Sequence, residues 1–185
     1  MKTKTLAAAV FLLALAVLAG PAAAQGTGGF QFGLSGGVST PTGDTSDVFD
    51  TGYHGGLVLF YELPAVPLGL RLDGDYRKFD TKSSVGSGSA EIFDGNANLV
   101  LGLRIVFLKV YALAGVGFYH VNFSGAVGGI SASGSQTDFG WNGGVGAAIV
   151  VGKVSIFLEG RYHEVTLANS GGKFKFIPVS AGVLF

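Results

Sequence analysis

Beyond residue 29 the chain alternates apolar and polar residues with a period of two, the period at which successive strand side chains point to opposite faces of a sheet. The alternation is plainest over 68–79, where Leu68, Leu70, Leu72 and Tyr76 interleave with Arg71, Asp73, Asp75 and Arg77. Over 29–39, Phe30, Phe32, Leu34 and Val38 oppose Gln31, Gly33, Ser35 and Ser39; over 53–63, Tyr53, Leu57, Leu59, Tyr61 and Leu63 oppose His54, Gly56, Val58, Phe60 and Glu62. A longer run, 91–107, sets Phe93, Ala97, Leu99, Leu101, Leu103, Ile105 and Phe107 against Asp94, Asn96, Asn98 and Arg104. In 110–123 the apolar parity is read as Tyr111, Leu113, Tyr119, Val121 and Phe123, with Ala112, Ala114, His120 and Asn122 opposite. Both parities there are poor in charge, so the facing of this segment stays open. Three more segments follow at 138–151, 154–165 and 174–185, the last carrying Ile177, Val179, Ala181, Val183 and Phe185 on one parity.

The connections alternate in length. Segments 40–51, 80–90, 124–137 and 166–173 are long and rich in Gly, Ser, Thr and Asp, whereas 64–67, 108–109 and 152–153 are short. Antiparallel up-and-down strands with short turns at one end and longer loops at the other predict an all-β chain, an eight-stranded antiparallel transmembrane β-barrel. A soluble barrel with its apolar parity inside would show the same alternation. Three features favour lipid outside. The loops alternate in length, few charges are available for a solvated outer wall, and aromatic residues stand near strand ends (Tyr53, Tyr61, Tyr76, Phe107, Tyr111, Tyr119, Trp141 and Tyr162), where rings suit a membrane interface.

The N-terminus adds an address. Lys2 and Lys4 precede an apolar run from Leu6 to Leu18, Gly20-Pro21 breaks it, and Ala22-Ala23-Ala24 offers small residues before Gln25. That layout predicts a cleavable signal peptide over 1–24 and a mature domain over 25–185. Composition then removes classes. Without Cys there is no disulfide framework, thiol chemistry or Cys-rich metal site. The 12 basic and 12 acidic side chains balance, so no basic footprint for nucleic acid exists.

With lipid outside, Arg71, Arg77, Arg104 and Arg161 fall on the inward parity together with Glu62, Asp73, Asp75, Asp94 and Glu159. The interior of an eight-stranded barrel is just wide enough for side chains to fill. These charges are therefore expected to neutralise one another in a packed interior network that plugs the bore. His54, His120 and His163 are placed on the same inner parity.

Several segments resemble the small outer membrane β-barrel proteins of Gram-negative bacteria, the OmpA/OmpX-type barrel domain. They are Leu68-Gly69-Leu70-Arg71 with Asp75-Tyr76; Tyr111-Ala112-Leu113-Ala114-Gly115-Val116-Gly117; Asp138-Phe139-Gly140-Trp141-Asn142-Gly143-Gly144-Val145-Gly146; Glu159-Gly160-Arg161-Tyr162; and Pro178-Val179-Ser180-Ala181-Gly182-Val183-Leu184-Phe185. The resemblance spans 29–185. The resemblance departs from OmpA itself in that no peptidoglycan-binding domain is expected after the barrel. The resemblance implies an outer membrane location reached through the periplasm, contact with outer membrane lipid and lipopolysaccharide, and a C-terminal signal (Val183, Phe185) read by the barrel-assembly machinery. It says nothing of oligomeric state.

Chemistry is scarce. Some barrels of this kind are lipid A deacylases or acyltransferases, and His163 is the best candidate base, but the nucleophilic Ser two residues beyond such a His is Val165 here. Asp44, Asp47 and Asp50 do not have the spacing of an EF-hand and read as a solvated loop. Gly115, Gly117, Gly143, Gly144 and Gly146 lie within strands and precede no helix, so they suit close backbone packing or barrel curvature better than a nucleotide. No catalytic, cofactor or metal residues are assigned. The expected function is a non-enzymatic barrel serving envelope structure or surface interaction through its extracellular loops, with a narrow passive channel and a lipid A-modifying enzyme as alternatives.

Overall fold

The computed structural model describes residues 29–64, 66–127, 130–168 and 171–185. The proposed signal segment, 1–24, lies outside the described residues. Eight strands follow in order: β1 (Gly29–Pro41), β2 (Gly52–Glu62), β3 (Leu68–Asp80), β4 (Ser87–Ile105), β5 (Leu108–Val127), β6 (Ile130–Val151), β7 (Val154–Thr166) and β8 (Lys173–Leu184). A single helical turn, α1 (Thr45–Val48), stands in the loop after β1. Each strand pairs antiparallel with its sequence neighbours, and β1 pairs with β8 to close the barrel. Closure satisfies the backbone donors and acceptors that an open edge would leave bare to hydrocarbon.

The outer wall is apolar. Leu70, Leu72, Leu99 and Leu101 each remain about half exposed, at 50–53 %, while Arg71 and Asp73 between them are 4 and 5 % exposed. Rings gather towards both ends of this wall. Tyr76 packs against Phe93 and Trp141 against Tyr162 towards the long loops, and Phe30 packs against Tyr61 and Phe32 against Phe185 towards the short turns. A ring at such a level meets hydrocarbon on one side and water on the other.

Three expectations are corrected. In β5 the inward parity is Tyr111, Leu113, Tyr119 and Val121, and the outward one is Ala112, Ala114, Val116 and Phe118. Tyr111 and Tyr119 therefore leave the interfacial girdle for the bore, and His120 turns outward, where its Nδ1 lies 2.8 Å from Thr137 Oγ1. The physical reason is the neighbouring wall. Gly146 and Gly140 leave the holes that the inward Tyr111 and Tyr119 rings fill, each so close that an added Cβ would collide with the ring.

The second correction concerns a turn. β4 and β5 are joined at Val106-Phe107, two residues before the position expected, and Val106 takes a φ of 55°. Gly152 occupies the equivalent place in the β6–β7 turn with a φ of 64° and no Cβ penalty. Third, 124–137 is largely strand. β5 and β6 remain paired from Leu108↔Ile149 as far as Val127↔Ile130, so this loop is the tip of a hairpin that rises beyond the β6–β7 pairing, which begins at Phe139↔Thr166.

Candidate functional site: the filled bore

The interior is layered. At its centre, alternation on β3 brings Arg71 and Asp73 inward, and alternation on β7 does the same for Glu159 and Arg161. β3 and β7 are four strands apart in a ring of eight, so these two pairs project from opposite walls and meet across the bore. Arg71 holds Asp73 at 2.8 Å and Glu159 at 2.9 Å; Arg161 holds Asp73 at 3.1 Å and donates through Nε to Glu159. Two guanidinium and two carboxylate groups thus alternate in a closed ring, with Asn98 Nδ2 donating to Asp73 at 2.8 Å. Such charge-assisted bonds offset the desolvation of each ion only when all members are present.

A second polar layer lies nearer the long loops. Arg77 donates to Asp94 at 2.7 Å and sits 3.2 Å from Asp75. Asn96 Nδ2 donates to Asp94 at 2.5 Å, while Asn96 Oδ1 accepts from the Tyr119 hydroxyl at 2.7 Å and from Asn142 Nδ2 at 3.1 Å. Because the single Tyr119 proton goes to Asn96, His163 Nδ1, 2.8 Å away, is the donor to the Tyr119 oxygen. His54 bridges Ser39 at 2.9 Å and Ser180 at 2.8 Å, tying β1, β2 and β8 together. Above this layer Phe79, Ala90, Ile92, Val121, Val165, Phe174 and Phe176 pack into an apolar stopper, against which Phe49, just after α1, rests. Arg77 lies over the Phe176 ring at 5.1 Å, and His163 stacks on the same ring at 4.8 Å.

Seven of the nine charged residues picked out from the sequence occupy these two layers. Glu62 and Arg104 share their parity but stand at the short-turn end of their strands. There Glu62 pairs with Lys109 at 2.6 Å, and exposed Arg104 donates to the Val106 carbonyl at 3.0 Å. Neither touches the central ring. Sequence reasoning missed Tyr119 and Ser180 as bore residues. The facing of β5 hid the first, and the second is small and neutral. His163 is fully buried and Val165 is too, so among the described residues no path leads from His163 to a lipid on the outer wall. Among the described residues Asp44, Asp47 and Asp50 form no group able to hold a metal ion.

The chain matches the outer membrane protein beta-barrel domain family over residues 9–185. It belongs to that family. The barrel is accordingly an outer membrane protein of the Gram-negative envelope. No curated protein sequence matches it. Among solved structures it is similar to neisserial surface protein A, with 18 % identity, a TM-score of 0.61, and coverage of 85 % of this chain and 97 % of that one. A major outer membrane protein of Thermus thermophilus follows with 15 % identity, a TM-score of 0.57 and coverage of 84 and 98 %. The attachment invasion locus protein Ail of Yersinia pestis gives 18 %, 0.52, and 88 and 100 %. At these identities the likeness is one of fold.

Proposed function

We propose that this barrel is a non-enzymatic envelope protein, closed to diffusion, whose role is structural or one of surface interaction through its extracellular loops. The observation that carries the reading is the Arg71–Asp73–Arg161–Glu159 ring bridging opposite walls beneath the aromatic stopper. A solute crossing the bore would have to break charge pairs that are buried among packed side chains, at a cost of several kcal/mol, of the order of ~3–5 for each pair broken. In planar bilayers the purified barrel is expected to give no stable open current; a steady, reproducible unit conductance would replace this reading with that of a narrow channel. Lipid A acyl composition is expected to be the same with and without the protein. A change abolished by His163→Ala would make it an enzyme.

Residues 1–24 serve as the cleavable export signal and leave 25–185 as the mature domain. The final strand carries the assembly signal: Phe185 N donates to Phe32 O at 2.8 Å, Phe32 N donates to Phe185 O at 3.3 Å, and the two rings meet at 5.6 Å, so Val183 and Phe185 lie along the seam that closes the barrel. The partner there is the barrel-assembly machinery, and outer membrane lipid and lipopolysaccharide surround the finished wall. Phe185→Ser is expected to lower the amount of barrel reaching the outer membrane at equal synthesis.

A further inference from the structure

We infer that the short-turn end of the bore is a binding site for a small amphipathic anion, an acid head on an aromatic or aliphatic body, admitted from the periplasm. The polar side chains that fill the centre of the barrel stop at Arg71, and an apolar belt surrounds the bore beyond it. Below it lies a cavity of about 460 Å³, within the range of small-molecule pockets. Its walls include Phe60, Val100, Phe157 and Leu184, all inward and buried. They form an apolar chamber closed from the outside by the charge ring, with Arg71 lying 5.1 Å over the Phe157 ring as its ceiling. Short turns mark the periplasmic end of an outer membrane barrel, so the mouth opens there.

The mouth is cationic. Arg104, Lys109 and Lys153 line it, and Glu62 is the acidic side chain among them. Glu62 is engaged by Lys109 at 2.6 Å, and Lys109 Nζ also sits 4.8 Å over the Phe60 ring, joining the charged rim to the apolar wall. Among the described residues no carboxylate side chain pairs with Arg104 or Lys153, whereas Arg71 is neutralised by Asp73 and Glu159. Even with a main-chain carboxylate at Phe185 counted, cations remain in excess at the mouth. An apolar chamber behind such a rim selects against cations and fully polar solutes and favours an apolar body whose acid group stays at the entrance.

The test uses the barrel in lipid nanodiscs, titrated calorimetrically with naphthoate against empty nanodiscs, with naphthamide and naphthylmethylammonium as neutral and cationic matches. Saturable binding of naphthoate alone, weakened by salt, is expected. Arg104→Gln/Lys153→Gln, which changes two exposed side chains, is expected to weaken it about tenfold. Val150→Trp, which fills the chamber near its mouth, is expected to abolish it. Heat-modifiable gel mobility identifies the variants that have folded. A signal equal to that of empty nanodiscs, equal binding of the three probes, or unchanged affinity in a folded Val150→Trp barrel would each overturn the proposal.

Discussion

Replacing Arg161 by Met isolates what the charge ring contributes to the barrel. Met keeps an unbranched apolar stem on β7 and removes the guanidinium, whose Nη1 and Nη2 reach Asp73 at 3.2 and 3.1 Å and whose Nε serves Glu159. Arg71 alone would then bridge Asp73 and Glu159, which are 5 and 2 % exposed. One buried negative charge would be left without compensation. Breaking a buried pair in this way costs about 3–5 kcal/mol, a large part of the ~5–15 kcal/mol that separates typical folded and unfolded states. Pairing the change with Glu159→Gln restores one cation to one carboxylate, so the double variant should recover about 2 kcal/mol relative to the sum of the single losses.

Trp141, the single tryptophan of the chain, stands half exposed on the outer wall and passes from lipid to water on unfolding. Its emission therefore reports urea unfolding of the barrel in vesicles, and extrapolation at constant slope yields the free energies. The reasoning fails if Arg161→Met lies within about 1 kcal/mol of the parent, below the cost expected for an unpaired buried ion. It fails equally if the two substitutions simply add, since the ring would then not be acting as a unit.

Leu99→Arg puts a charge on the lipid face of β4 and is expected to cost about 2–4 kcal/mol in the same urea assay, whereas a soluble barrel with the same exposed side chain would tolerate it. Val106→Gly relieves the positive φ at the β4–β5 turn, and the gain of about 1 kcal/mol, after the entropy cost of Gly, would appear as a higher urea midpoint. Gly146→Ala drives a Cβ into the Tyr111 ring and should destabilise by about 1–3 kcal/mol. Gly74→Ala faces open space on the outer wall and should change stability by less than about 0.5 kcal/mol, so equal effects of the two glycine substitutions would contradict the packing described.

The legibility of each strand depends on contrast between its faces. β3 carries Arg71, Asp73, Asp75 and Arg77 on one side and Leu70 and Leu72 on the other, and its facing follows directly. β5 has no such contrast, and its facing is set by packing that a single strand does not display. Gly115 and Gly117 on its inward parity leave room for Asn98 and Asn96 from β4, while Tyr111 and Tyr119 fill the space over Gly146 and Gly140 of β6. The hairpin arms read as loop because Ser124, Gly125, Ser133, Gly134 and Ser135 are all exposed, so neither parity there needs apolar residues and the pairing leaves no alternation to read. Parity also conveys face and not height. Glu62 and Arg104 share a face with the central ring but stand at the ends of strands, where the pairing partner is Lys109 or a turn carbonyl.

Height is what organises the interior. From the long-loop end the bore passes through an aromatic stopper, two polar layers and an apolar belt, and then opens into a cationic vestibule. The ions are therefore sheltered by apolar packing above and below, which strengthens their mutual attraction and makes each one costly to orphan. The two ends also differ in access. Phe79, Phe174 and Phe176 seal the side that meets the exterior, while the chamber beneath Arg71 is open on the side of the short turns. A barrel built this way presents loops and rim to the outside and turns the chamber beneath Arg71 towards the periplasm. The proposed surface role and the proposed anion site would thus lie on opposite sides of a single ring of four charges.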